Sequence, residues 1–186
     1  CRNEFIETII YLCEHSRGIE LYVNEIIECL QEVAAYADYD RPGIGYSDGR
    51  WNDNFKLFIH ELFIYLVAAL IRAKKYKLVF DITHTTYRVK GCHQTVFSGF
   101  IQFRKVAHSI DTDRKNRLKL NLVNPTAHLF RQRAKLADFP WSDVMQADFV
   151  LFLISLLDRQ DNNRMWFPDT LQYAVDGPSF PLFIDA

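Results

Sequence analysis

The chain has 186 residues, 49% apolar and 15% aromatic, a composition that excludes wholesale disorder and suits one domain able to bury a sizeable core. Charged residues make up 24% with a net charge of −1. Gly (7) and Pro (6) are scarce, which argues against long structureless loops and many-stranded β architectures.

The chain opens at Cys1 and enters a helical pattern at once, with Ile6, Ile9, Ile10 and Cys13 on one stripe. A break at Ser16-Arg17-Gly18 precedes a second stripe: Leu21, Val23, Ile26, Ile27, Leu30, Val33 and Ala34. Residues 4–37 are thus expected to form two helices joined by a short turn, with Glu20, Glu25, Glu28 and Glu32 on the polar face. Residues 38–50 hold three Gly and one Pro and predict a loop, a possible sub-boundary within a single domain. Asn52 or Asp53 then caps a helix over about 54–73. That segment is apolar on nearly every side, so it is expected at the centre of the core. Its longest apolar run, Leu62 to Ile71, is too short to span a bilayer.

Residues 76–87 predict a short helix. The β-branched and aromatic run Thr95–Phe103 fits a strand, with a helix as the alternative. Asn124-Pro125 is a helix start, Asn as cap and Pro in the first turn, and this helix ends near Lys135. Ser142 or Asp143 caps a further helix bearing Val144, Ala147, Val150, Leu151, Ile154 and Leu157. Asp148 interrupts its apolar pattern and is expected to pair with a basic residue of the middle of the chain. The fold class is therefore mainly α, an irregular helical domain around a central apolar helix. Minor β elements are expected near 87–105 and 165–184.

Both ends of the chain are apolar, closing on Phe180-Pro181-Leu182-Phe183-Ile184, which points to a segment of a longer polypeptide. The four cysteines (Cys1, Cys13, Cys29, Cys92) show no paired spacing, which favours a reducing, cytoplasmic setting. Cys13 and Cys29 fall in apolar helical patterns, where a thiol acts as a small hydrophobe.

The charge is segregated. Residues 1–71 hold 5 basic and 12 acidic residues, residues 72–135 hold 15 and 3, and residues 136–186 hold 2 and 8. The basic middle either docks on the acidic flanks, or meets an anionic partner, or contacts another domain or an oligomer mate. For an anionic partner, nucleic acid included, the candidate residues are Arg104, Lys105, Arg114, Lys115, Arg117, Lys119, Arg131, Arg133 and Lys135. Phe97, Phe100, Phe103 and Phe130 lie nearby in sequence as candidate base-stacking rings, with a core role as the alternative.

Catalytic motifs are sparse. Arg88 and His93 match the R-x4-H spacing of HEPN-type ribonucleases, in which His serves as general acid/base and Arg stabilises phosphorane charge without a metal. That family places the pair on a helix, and Gly91 between them argues against one. His60-Glu61 lacks the second His of H-E-x-x-H, position 64 being Ile, and is expected to be a buried hydrogen-bonded pair. Asp81 and His84 can share a helix face, but no third metal ligand accompanies them. No nucleotide-binding or cysteine-pair zinc pattern is present, so neither cofactor nor metal is expected.

The stretches Phe58–Leu66, Arg117–Asn121 and Val144–Leu151, with Trp166-Phe167-Pro168 and Phe180–Phe183, together resemble an uncharacterised helical region. It is found in the C-terminal part of multidomain bacterial proteins, some of them resembling anti-phage defence proteins. The resemblance implies a non-catalytic interaction or regulatory module whose partner meets the basic segment 72–135. It supplies no catalytic residue. A HEPN-like ribonuclease and a nucleic-acid-binding adaptor are the alternatives.

Overall fold

The computed structural model describes residues 2–15, 18–37, 49–90, 95–158 and 165–174. The architecture is mainly α, as the sequence patterns predict, and is organised around one helix, α3 (Asp53–Arg72). Every residue of α3 from Ile59 to Leu70 is buried. A helix apolar all round has no solvent face to offer, so neighbours must enclose it. Four do: α1 (Arg2–Glu14), α2 (Gly18–Ala37), α4 (Tyr76–His84) and α7 (Trp141–Leu157). The segment Arg50–Arg72 is long and apolar enough to cross a membrane, yet 72% of its apolar window is buried inside the protein, as befits a core helix.

α1 buries Ile6, Ile9 and Cys13, the stripe read from the sequence. α2 buries Ile19, Ile26, Leu30, Ala34 and Ala37. This stripe is rotated from the expected one: Leu21 is 71% exposed, and Cys29 is exposed rather than packed as a hydrophobe. Spacings of seven, four, four and three keep one line of contact against α3, and Leu21 falls off that line. The 38–48 part of the predicted loop lies outside the described residues; a 3-10 turn over Gly49–Asn52 leads into α3. Asn52 makes no side-chain cap there. Asp53 instead accepts from the Ser109 backbone N–H and from Lys56, tying the start of α3 to the middle of the chain.

A two-stranded antiparallel hairpin follows α4, with β1 (Tyr87–Lys90) paired to β2 (Thr95–Ser98) and Tyr87 opposite Ser98. Strand and helix both claim the 95–103 run. β2 ends at Ser98, and beyond Gly99 a 3-10 turn sends Phe100 and Phe103 together into the core. Three residues make one 3-10 turn, so this pair shares a face. Their rings close on Phe63 of α3 with Tyr87 and Trp166, at centroid distances of 4.9 to 6.4 Å. This knot brings five aromatic rings together in the core.

A π-wound turn (Ser109–Asp113) runs into the short α5 (Arg114–Arg117). α6 (Pro125–Leu136) starts as predicted: Asn124 Oδ1 accepts from Ala127 N at 2.8 Å. α7 begins earlier than expected, at Trp141 with Pro140 as cap residue. Ser142 and Asp143 already lie inside the helix, where the Ser142 hydroxyl donates to Asp143. The β element expected near 165–184 is not found over 165–174. Residues 165–168 are irregular and α8 (Asp169–Ala174) follows. Pro168 ends the irregular stretch and Asp169 brings negative charge to the first turn of α8. The remainder of that prediction, 175–184, lies outside the described residues.

Three helices end on a non-glycine residue of positive φ: Lys74 (57°), Lys119 (49°) and Asp138 (50°). In each case the next residue's N–H reaches back five positions, as Lys75 N to Leu70 O at 2.9 Å and Phe139 N to Ala134 O at 3.0 Å. These are Schellman-type ends, which turn the chain sharply at the close of α3, α5 and α6.

Candidate functional site

The basic segment divides into cations used internally and cations that face outward. Arg133 leaves α6 inward and pairs with Glu61 of α3, Nη2 to Oε2 at 2.7 Å. Arg2 reaches the same carboxylate from α1 at 3.0 Å. Glu61 is buried, so burial pushes its carboxyl above the usual range while the two guanidiniums oppose that shift. The predicted His60–Glu61 pair is therefore replaced. Both residues are buried, but on adjacent positions of a helix they point apart, and Glu61 binds arginines from two other helices. Lys75 pairs with Glu20 at 2.7 Å.

Arg104 is also internal. Its guanidinium donates to Phe167 O and approaches Asp169 Oδ1 at 3.4 Å, fastening the 3-10 segment to the start of α8. Asn124 Nδ2 donates to the same Asp169 oxygen at 2.9 Å. Asp111, on the π turn, accepts from Thr126 Oγ1 of α6. Arg104, Asp111, Lys115, Asn116, Asn124 and Asp169 line a polar cavity of about 450 Å³ at the head of α6. Burial raises the carboxyls of Asp111 and Asp169, and each bonded neighbour lowers them. Oδ1 of Asp111 and Oδ1 of Asp169 both accept from protein donors, so the cluster ties α6, α8 and the π turn together.

Beneath it, Asp148 of α7 is fully buried and takes three donors: Trp166 Nε1 (2.7 Å), Thr170 N (2.9 Å) and Thr170 Oγ1 (2.8 Å). None is basic, which corrects the expected pairing with the middle block. The hydrogen-bonded pocket satisfies the carboxylate without a counter-ion. Burial and then Asp169 push its carboxyl up to about 6 against those donors. His60 packs edge-on against Phe130 and Trp166, each 5.2 Å away by ring centroid. Burial, then the Arg104 cation, push it down to about 3, so it is a neutral ring. Its Nδ1 lies 3.9 Å from Asp169, beyond hydrogen-bond reach.

The outward cations are Arg117 and Lys119, exposed at the end of α5, and Arg131 and Lys135, exposed on α6; Lys105, Arg114 and Lys115 are half-buried. α6 is amphipathic. Ala127, Phe130 and Ala134 are buried, while His128, Arg131, Gln132 and Lys135 recur at three-, four- and seven-residue intervals on another face. The Schellman end at Asp138 then folds the chain so that Trp141, first residue of α7, meets this stripe. Together they line a cavity of about 570 Å³. Sequence reasoning found Arg131 and Lys135 but missed His128, Gln132 and Trp141. The polar stripe was present in the sequence, whereas the turn that brings Trp141 to it was not.

Phe100, Phe103 and Phe130 are buried, which removes them as base-stacking rings; the Phe97 side chain lies outside the described residues. Arg88 is exposed on strand β1, its backbone N–H donating to Gln31, rather than on a helix. His93 lies outside the described residues. Asp81 and His84 part company, Asp81 pairing with Lys77 at 3.3 Å and His84 with Asp158 at 3.3 Å. Among the described residues no three His, Cys, Asp or Glu side chains gather as a metal site. Comparison with family models, with curated proteins and with solved structures finds no match to this chain.

Proposed function

We propose that this chain is a non-catalytic interaction or regulatory module of a bacterial intracellular protein, defence-associated by its resemblance, and that it meets an anionic partner through the basic segment. The observation that carries the reading is the division of that segment. Arg104, Arg133 and Lys75 are spent inside the fold, while Arg117 at the end of α5, Lys119 just beyond it and Lys135 on α6 are exposed. Exposed cations attract anions at long range and release counterions on contact.

The test is salt-dependent retention on immobilised heparin. The wild-type chain is expected to be retained at low salt. Reversing charge at Arg117 and Lys119, or at Arg131 and Lys135, is expected to lower the eluting salt concentration. Flow-through of the wild-type chain at 50 mM salt or below would refute an anionic partner.

A further inference from the structure

We infer that the outer face of α2 and the basic tip at the end of α5 bind each other between two copies of this chain, head to tail. The inference names the anion of the anionic-partner reading as a second copy's α2, and so rests on that reading.

α2 carries four glutamates and no lysine or arginine. Glu20 is paired with Lys75. Glu25, Glu28 and Glu32 are exposed and, among the described residues, make no ion pair. At about 100° per residue, Leu21, Glu25, Glu28 and Glu32 fall within an arc of about 60°. That arc lies opposite the buried line of Ile19, Ile26, Leu30 and Ala34. The helix thus presents to solvent three carboxylates over about 10 Å of its length, headed by the exposed Leu21 with Tyr22 exposed beside it. Like charges three and four residues apart repel one another along a helix, and this helix holds no cation to relieve them. Counter-charge from outside the chain relieves that repulsion.

The complementary surface lies elsewhere on the same molecule. Arg117, Leu118 and Lys119 are exposed in succession where α5 ends, with Val123 exposed shortly after. Lys119 adopts positive φ (49°), and Leu120 N bonds back to Lys115 O at 3.0 Å, which fixes the backbone of the tip. Each surface therefore joins charges of one sign to exposed apolar side chains, a composition suited to a contact with an apolar centre and a polar rim.

α2 is seated on α1, α3 and β1, whereas α5 is seated on the π turn. Two different surfaces of one chain are involved, so the contact is heterologous: each copy offers its acidic face to one neighbour and its basic tip to another. Such association grows as a chain or closes as a ring. With a net charge of −1, two copies approach with little overall repulsion, and the local fields orient them. A polyanion would meet the same basic tip but would gain nothing from the α2 face.

The experiment is sedimentation velocity of the 186-residue chain over about a hundredfold range of concentration, at about 50 and about 500 mM salt. The expected result is a sedimentation coefficient that rises with concentration at low salt and stays at that of one chain at high salt. The Glu25→Lys, Glu28→Lys, Glu32→Lys variant and the Arg117→Glu, Lys119→Glu variant are each expected to sediment as single chains. Their equimolar mixture is expected to associate, because each supplies the charge that the other has lost. The milder Glu25→Gln, Glu28→Gln, Glu32→Gln variant is expected to raise the dissociation constant several-fold. All five positions are exposed, and unchanged circular dichroism verifies folding.

A wild-type chain that sediments as a single chain throughout at low salt overturns the inference. If heparin still retains that chain, the anionic reading stands; if the chain flows through, both fall. Association that survives high salt, or that neither reversal weakens, overturns the assignment to these two faces. So does a mixture of the two reversed variants that fails to associate.

Discussion

The indole Nε1 of Trp166 donates a 2.7 Å hydrogen bond to Asp148 Oδ1, eighteen residues earlier in the chain, with both side chains fully buried. The bond seals the irregular 165–168 stretch against α7. It also couples a fluorophore to a carboxylate whose ionisation burial has moved close to neutrality.

Asp148 is raised to about 6, so the folded state holds its proton to higher pH than the unfolded chain does. Its contribution therefore favours the fold at low pH and is lost as pH rises from about 4 through about 6. In a Trp51→Phe, Trp141→Phe background, Trp166 emission is expected to titrate with a midpoint near 6. The Asp148→Asn variant should abolish that titration. It is also expected to cost about 1–3 kcal/mol in urea unfolding, because the amide nitrogen must face a donor, either Trp166 or Thr170. A flat emission profile from pH 4 to 8 would contradict the assignment.

His60 works in the opposite sense. Its folded value lies near 3 and its ordinary value is 6.5, so its contribution is present above 6.5 and is lost as pH falls toward 3. At pH 5 the loss amounts to about 2 kcal/mol relative to neutral pH. His60→Leu is expected to remove this sensitivity, so the stability difference between pH 7 and pH 5 shrinks relative to wild type. Equal pH dependence in the two proteins would show that His60 is not buried neutral.

Glu61 is the charged centre of the hydrophobic hub. Removing Arg133 leaves the carboxylate on Arg2 alone, and Arg133→Ala is expected to cost about 2–3 kcal/mol of unfolding free energy. Replacing Glu61 and Arg133 together by methionine should recover most of that loss, since a well-packed apolar pair also avoids the desolvation cost. A double variant no more stable than Arg133→Ala alone would show that the ion pair contributes net stability.

Asn124 has two tasks at the head of α6, accepting from Ala127 N and donating to Asp169. Asn124→Ala loses both and is expected to cost about 2 kcal/mol. Asn124→Asp keeps the cap but sets a second carboxylate against Asp169, so its penalty should grow between pH 4 and pH 7. A pH-independent penalty would mean that the Asp169 contact contributes little.

The sequence made the hub legible because α3 is apolar on every side, a pattern that only enclosure satisfies. The Asn124-Pro125 start was legible for an equally local reason, since cap and first-turn chemistry lie within four residues. The partners of Asp148 and Glu61 were not. Each is met by groups from elements far along the chain, and no local period encodes which. The assignment of basic residues failed in part for the same reason: Arg133 and Arg131 are two positions apart, and their opposite fates are set by a 100° step per residue around α6. The rotation of the α2 stripe away from Leu21 likewise depends on where α3 lies.

The Arg2–Glu61–Arg133 junction joins residues up to 131 positions apart, since Arg2 also donates to Arg133 O. Loop-closure entropy opposes such contacts until the intervening chain has found its place. The junction is thus expected to fasten late in folding, so that its loss speeds the unfolding of the folded chain more than it slows its assembly. Lifetime, as distinct from equilibrium stability, is then expected to depend in part on Arg2.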